Sequence, residues 1–266
     1  MDILEEIVAH KRIEVADAKE ILPERELHRI VEQLIANDEA EGRQRLSMSK
    51  ALTASETGII AEFKRRSPSK GWIKEDGRPD VIPPSYERAG AAALSILTDE
   101  IYFGGRQTFI SRARPLVHIP ILRKDFIIDE YQLFEARRIG ADAVLLIAAD
   151  LTLAECRSLL HTAHELGLEV LLEIHDESEL DYAAMDVDMV GVNNRNLGSF
   201  ITDVQNSFRL IDRLPANRVR VSESGLSKPE TIRLLRAAGF RGFLIGETFM
   251  RTADPGLALQ SFIQAL

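Results

Sequence analysis

The chain has a single cysteine, Cys156, among its 266 residues, which rules out an internal disulfide. Cys156 falls in an apolar-periodic segment and reads as buried filler rather than a nucleophile. No apolar run approaches the roughly 18 residues that a membrane-crossing helix needs. The start, Met1-Asp2-Ile3-Leu4-Glu5-Glu6, carries acids where a secretory leader would carry bases. A cytoplasmic protein is therefore expected. Bases are outnumbered: 33 Lys and Arg against 42 Asp and Glu leave a formal charge of −9. That balance argues against nucleic acid and anionic membrane surfaces as partners. No Gly-x-Gly-x-x-Gly follows the first apolar run, no Gly-x-Ser-x-Gly is present, and no Ser-His-Asp order fits a triad. Metal ligands are scarce as well. His161 and His164 share one helical segment and read as surface or packing residues, and His175, expected to face opposite Glu173, is assigned a structural role. Neither a metal nor an organic cofactor is expected. Solenoid-type repeats and low-complexity tracts are absent too.

What is present is alternation. Apolar runs at 59–64, 93–98, 120–126, 143–148, 169–174, 189–193, 219–222 and 242–246 begin roughly 20 to 35 residues apart, the size of one strand plus one crossover helix. They are rich in Val, Ile and Leu, as parallel strands covered by helices should be. Helical patterns lie between them at 131–139, 153–166, 178–184, 204–214, 229–238 and 256–265. Gly140, Gly167 and Gly239 stand where helix C-caps belong. Eight βα units in series predict an α/β fold, a (β/α)8 TIM barrel, with a doubly wound sheet as the alternative. Residues 2–18 and 26–35 read as amphipathic helices with no strand near them. We therefore expect one domain over 1–266, with 1–50 as an N-terminal helical extension packed on the barrel. Residues 77–84, with Pro79, Pro83 and Pro84, read as an irregular loop.

A barrel of this kind builds its site at the C-terminal ends of its strands. In Ile59-Ile60-Ala61-Glu62-Phe63-Lys64, strand alternation puts Glu62 and Lys64 on one face. One such pair could be a solvated salt bridge, but the layout recurs. Thr98-Asp99, Arg123-Lys124-Asp125-Phe126, Glu173-Ile174-His175, Asn193-Asn194-Arg195-Asn196, Ser222-Glu223-Ser224-Gly225 and Gly246-Glu247 end the later runs. Lysines and glutamates dominate the set, which points to metal-free proton transfer by groups whose crowding tunes their acidity. Lys64, Lys124 and Arg195 would make a positive mouth for a small anionic substrate. Ser224-Gly225 and Gly246-Glu247 follow the last two strands, where barrels often bind phosphate. A glycine at a strand end also serves as a plain turn.

At these residues the chain resembles the indole-3-glycerol phosphate synthase family. The segments that carry the likeness are Ile60-Ala61-Glu62-Phe63-Lys64-Arg65-Arg66-Ser67-Pro68-Ser69-Lys70-Gly71, Ser95-Ile96-Leu97-Thr98-Asp99 and Ile121-Leu122-Arg123-Lys124-Asp125-Phe126-Ile127. Leu171-Leu172-Glu173, Gly191-Val192-Asn193-Asn194-Arg195-Asn196-Leu197, Ser222-Glu223-Ser224-Gly225 and Phe243-Leu244-Ile245-Gly246-Glu247 continue it in the family's order. Trp72 and the 77–84 loop depart from the usual pattern. The resemblance implies ring closure of 1-(2-carboxyphenylamino)-1-deoxyribulose 5-phosphate with loss of CO₂ and water. It implies Lys124 as general acid, Glu173 and Glu62 stabilising the cationic intermediate, and Lys64 or Glu173 as second proton donor. Asn193 and Glu223 would lie near the anthranilate and hydroxyl groups, and Arg195 near the carboxylate. Lys64, Ser67, Ser224, Gly225, Gly246 and the backbone of Glu247 would surround the phosphate. Phe103, Phe126, Leu145, Leu197 and Leu244 would form the slot for the aromatic ring. A monomer, or a chain weakly associated with other tryptophan-pathway enzymes, is expected. Another phosphate-binding barrel, such as phosphoribosylanthranilate isomerase, or a non-catalytic scaffold are the alternatives. Neither is expected to keep Glu62, Lys64, Lys124 and Glu173 together.

Overall fold

The computed structural model describes residues 3–196 and 201–266. Among them, parallel strands close into a barrel: β1 (Ile59–Phe63), β2 (Ala93–Leu97), β3 (Ile121–Lys124), β4 (Ala143–Ile147), β5 (Glu169–Ile174), β6 (Met189–Asn193), β7 (Val219–Glu223) and β8 (Gly242–Ile245). Each pairs with the next, and β8 returns to β1 with Leu244 opposite Ile60. That closing pair is what a doubly wound sheet lacks, and the expected TIM barrel stands. Alternation sorts the side chains between two cores. Ile60, Leu122, Leu145, Leu171, Met189 and Val221 fill the barrel interior. Ile59, Ile121, Val144, Val170 and Val190 belong to the outer core shared with the helices.

The helices are α1 (Ile3–Ile21), α2 (Glu24–Ala40), α3 (Met48–Ala54), α4 (Ile82–Arg88), α5 (Gln107–Ala113) and α6 (Glu130–Ile139). They continue with α7 (Leu153–Glu165), α8 (Leu180–Ala183), α9 (Gln205–Leu210), α10 (Pro229–Ala238), α11 (Glu247–Met250) and α12 (Pro255–Gln264). Capping boxes start α6 (Asp129 with Gln132) and α7 (Thr152 with Glu155), satisfying amides that the helix itself cannot. Gly140 and Gly239 end α6 and α10 in the left-handed region, at φ 91° and 118°.

Several boundaries differ from the sequence expectation. The 178–184 pattern is a 3-10 turn, Glu177–Glu179, followed by the single turn of α8, and 204–214 divides between α9 and a 3-10 turn, Ile211–Arg213. The 77–84 loop is shorter than expected, because α4 begins at Ile82 with Pro83 and Pro84 in its first turn. Proline lacks an N–H, and the first-turn amides have no intrahelical acceptor, so it fits there.

Two N-terminal devices position the site. α3 closes the barrel floor: buried Met48 and Leu52 join the interior core. Glu169 at the start of β5 holds α3 through Ser47 Oγ at 2.6 Å and the amide and hydroxyl of Ser49 at 2.8 and 2.7 Å. α1 lies at the opposite end. Its Lys11 is wholly buried, with Nζ 2.9 Å from Asp125 and 3.1 Å from Asp99. Asp125 also accepts from Thr98 Oγ1 at 2.5 Å and pairs with Arg123 at 3.0 Å. Of the run Arg123-Lys124-Asp125, then, Asp125 binds the extension to the barrel, Arg123 ties Asp125 to Glu135 of α6, and Lys124 faces the cleft.

Candidate active site

A cleft of about 770 Å³ opens at the C-terminal ends of the strands, and Glu62, Lys64, Lys124, Glu173, Asn193 and Glu223 all line it. These six residues were separated by up to 161 positions in the chain (62 to 223), and barrel closure brings them together. Lys124 Nζ lies 2.9 Å from Glu173 Oε2 and 2.6 Å from Glu223 Oε2. Lys64 Nζ pairs with Glu62 Oε1 at 2.6 Å, as same-face alternation required. Asn193 Nδ2 donates to Glu173 Oε1 at 3.0 Å, and Asn193 Oδ1 accepts from the Arg195 amide at 3.0 Å. Two glycines leave space for the acids. A Cβ at Gly191 would overlap Glu223 Oε1, and one at Gly246 would overlap the Glu62 carboxylate.

The electrostatics follow from too few cations in a dry pocket. Burial works against the charge on Lys124, but Glu173 and Glu223 beside it outweigh burial and raise its pKa. Burial likewise pushes Glu173 up, yet Lys124 and then His175 pull it well below the usual carboxylate range. Glu223 goes the other way. Burial and the neighbouring Glu173 charge lift it to about 7 against the pull of Lys124. The site therefore holds an ammonium, an ionised carboxylate and a carboxyl poised near neutrality.

The expected binding residues are gathered as well, with exceptions. Phe103, Phe126, Leu145 and Leu244 border the cleft, the two phenyl rings 6.0 Å apart between centroids. Leu197 lies outside the described residues. Ser224, Gly225, Gly246 and Glu247 line the far rim. Ser224 is a non-glycine residue at φ 67°, and Gly225 follows at φ 74°. The strain, on the order of 1–2 kcal/mol, is held in place by Asn194, whose Nδ2 donates to the carbonyls of Glu223 and Ser224 at 2.9 and 3.1 Å. Arg195 reaches Ser69 Oγ at 3.2 Å and stands 3.8 Å from Glu247, which also pairs with Arg251. Ser67 is buried, and its Oγ has no hydrogen-bond partner among the described residues. Its neighbours Pro68, Ser69 and Lys70 line the cleft, where the short Arg66–Ser67/Gly71–Trp72 hairpin turns.

Three features escaped the sequence reading. Ile3, Leu4 and Ile7 of α1 line the cleft mouth, and Arg251 borders the rim. His175 does not face opposite Glu173 as expected: its Nε2 lies 3.2 Å from Glu173 Oε1, because residues two apart along a strand direction share a face. Cys156 is buried as expected, and burial pushes its thiol up to about 11.

Ionisable groups gathered at the mouth of a closed parallel barrel are the layout of the (β/α)8-barrel enzymes, and the fold comparison finds the same barrel. Tryptophan synthase alpha subunits from Pyrococcus furiosus match at a TM-score of 0.58 and 13% identity, covering 79% of this chain and 97% of theirs. Sequence comparison goes further. The family model for indole-3-glycerol phosphate synthase matches residues 4–262. A relative of that name from Bacteroides thetaiotaomicron is 58% identical over 265 residues, covering 100% of this chain and 99% of its own length. Another, from Acidithiobacillus ferrooxidans, is 46% identical over 260 residues, covering 97% of each chain. The chain belongs to the indole-3-glycerol phosphate synthase family.

Proposed function

We propose that this chain acts in the cytoplasm as a single-domain carboxy-lyase, closing the indole ring of indole-3-glycerol phosphate by acid–base catalysis within the cleft. The observation that carries the mechanism is Lys124 held between Glu173 and Glu223, at 2.9 and 2.6 Å, beside the phenyl rings of Phe103 and Phe126. The ring carbon bearing the carboxylate attacks the substrate ketone, and Lys124 gives its proton to the carbonyl oxygen as the C–C bond forms. Its ion pairs keep it protonated, the right state for an acid. They also weaken it as a donor until the substrate loosens them. The resulting cation is stabilised by ionised Glu173 and by Glu62, and the bond to CO₂ breaks to restore the aromatic ring.

Water leaves next. Glu173 is held ionised and is a poor donor, so Lys64 protonates the departing hydroxyl. A base then removes the last proton from the new five-membered ring. Glu223 suits that step: it titrates near neutrality, and its Oε1 is buried without a protein partner, open to a substrate N–H or O–H. Asn193 holds Glu173 in place, and Arg195 meets the substrate carboxylate. The phosphate lies among Lys64, Ser224, Gly225, Gly246 and the backbone of Glu247, where left-handed turns and glycines let amides approach the oxygens. Ser67 belongs to the same set, its buried Oγ having no hydrogen-bond partner among the described residues. Leu145 and Leu244 complete the apolar slot. The partner required is this small anionic substrate. The assembly proposed is a monomer or a weak association with enzymes of the same pathway. Purified protein supplied with the substrate should form indole-3-glycerol phosphate and release CO₂ in equal amounts. A protein that binds the substrate and releases neither product would refute the proposal.

A further inference from the structure

We propose that His175 is a positioning residue: seated between Glu173 and Glu179, it keeps the negative charge on Glu173 and leaves the shared proton of the site to Glu223. This rests on the function proposed above, because it explains how the two acids of that reaction acquire different roles.

The problem begins with symmetry. Glu173 and Glu223 each place one oxygen on the same ammonium, at 2.9 and 2.6 Å from Lys124 Nζ. Two buried carboxylates facing one cation carry one negative charge too many, so the pair takes up a proton far more readily than an isolated carboxylate. Lys124 alone does not decide which acid takes it. The second oxygens do. Glu173 Oε1 receives Asn193 Nδ2 at 3.0 Å and makes a 3.2 Å charge contact, without hydrogen-bond geometry, with His175 Nε2. Glu223 Oε1 is buried and has no hydrogen-bond partner among the described residues. An ionised carboxylate is therefore supported at Glu173 and left bare at Glu223.

His175 is built to hold that place. Its ring is 11% exposed, and its Nδ1 stands 3.4 Å from Glu179 Oε2. The same Glu179 oxygen accepts the His175 amide at 2.5 Å, and Asn206 Nδ2 donates to the His175 carbonyl at 2.7 Å. The charged groups around the ring are Glu173 from β5, Glu179 from the turn after it, and Asp150 from the end of β4. The last is within electrostatic reach and has both carboxyl oxygens buried and unpartnered. Burial opposes a charged imidazole, but Glu173 and Glu179 outweigh burial and raise it to about 10. Asp150, lifted to about 7 chiefly by burial and then by Glu173, does not displace Glu173 as the nearest acid. Among the described residues, Glu173 thus pairs with both Lys124 and His175, and Glu223 with Lys124 alone.

The test uses the full-length protein. Carboxyl protonation is followed by infrared titration without substrate, in the wild type and in Glu223→Gln and Glu173→Gln variants. A carboxyl titrating near neutrality that disappears in Glu223→Gln is expected. One that survives there and disappears in Glu173→Gln overturns the proposal. In parallel, kcat and KM are measured against pH for His175→Gln and His175→Lys. Glutamine should lower kcat about tenfold or more, leave KM nearly unchanged and displace the midpoint of the pH profile, and lysine should restore much of both. An unaltered profile in His175→Gln, or a loss that lysine does not relieve, would overturn the assignment. Should His175→Gln fail to fold, Glu179→Gln loosens the ring without removing it and must shift the same midpoint. The infrared result needs no turnover. A wild type that makes no indole-3-glycerol phosphate would therefore refute the proposed function and still leave the proton assignment tested.

Discussion

Replacing Lys124 with methionine removes the ammonium between Glu173 and Glu223 while keeping much of its apolar stem, and both consequences can be sized. Catalysis loses the acid for the first bond-forming step, so kcat should fall at least about 10²-fold. Stability should fall in a pH-dependent way. Glu173 and Glu223 are 3% and 1% exposed, and without Lys124 the pair cannot keep both charges. Breaking a buried ion pair from one side costs about 3–5 kcal/mol, unless a proton replaces the lost cation. Binding that proton to a carboxyl of ordinary pKa 4.5 costs about 1.4 kcal/mol per pH unit above that value. The relief is thus nearly complete at about pH 5 and costs about 5 kcal/mol at about pH 8. The sign is fixed by linkage. In the variant the folded pKa lies above the unfolded one, so the folded state binds the proton more tightly. Stability is fully present below the unfolded value and lost as pH rises through the folded one. Urea denaturation of wild type and Lys124→Met at both pH values reads the difference, and product fluorescence reads kcat. A near-normal kcat would remove Lys124 from the mechanism. An equal stability loss at both pH values would refute the electrostatic account.

Gly191→Ala should lower kcat with a stability cost of about 1–3 kcal/mol, because the new methyl displaces the Glu223 carboxylate; unchanged turnover would show that Glu223 does not need its present position. Trp72 is 47% exposed, flanked by the Arg65 and Arg66 guanidinium groups on a hairpin whose Ser69 touches Arg195. Its fluorescence should change when a substrate analogue orders the 64–71 loop over the cleft, and saturable calorimetric binding with no spectral change would count against loop closure. Activity should survive exhaustive EDTA treatment, since each proposed proton transfer uses a side chain, and a strict requirement for added divalent ion would contradict that scheme. Lys11→Met should destabilise the protein by about 3–5 kcal/mol by leaving buried Asp99 without its ammonium and Asp125 with Arg123 as its remaining cation. Asp125, which burial pushes up but Lys11 and Arg123 hold down to about 2, contributes stability present above its unfolded value and lost as pH falls through the folded one. The variant's acid unfolding should therefore begin at higher pH than the wild type's.

Local pattern determined a great deal. Period-two alternation with β-branched and leucine-rich runs at regular spacing is enough to specify parallel strands joined by crossover helices. The same alternation placed Glu62 with Lys64, because side chains two apart on a strand share a face whatever the rest of the chain does. Glycine C-caps were legible for the same reason: the left-handed backbone at Gly140 and Gly239 is a local requirement. Helix ends at 178–184 and 204–214 were less legible, since short turns are shaped by what they pack on rather than by their own periodicity.

What only the tertiary structure decided was partnership and acidity. Nothing in the sequence says that Lys11 crosses from α1 to Asp125, freeing Lys124 to face the cleft, because that contact spans unrelated segments and depends on how the extension docks. His175 could be placed beside Glu173 by counting, but not its grip on Glu179, which follows from the turn after β5. Glu173 and Glu223 are the same residue type at equivalent strand ends. Their different acidities arise from burial, one shared ammonium and the partners of each second oxygen, quantities that exist only once the barrel has closed.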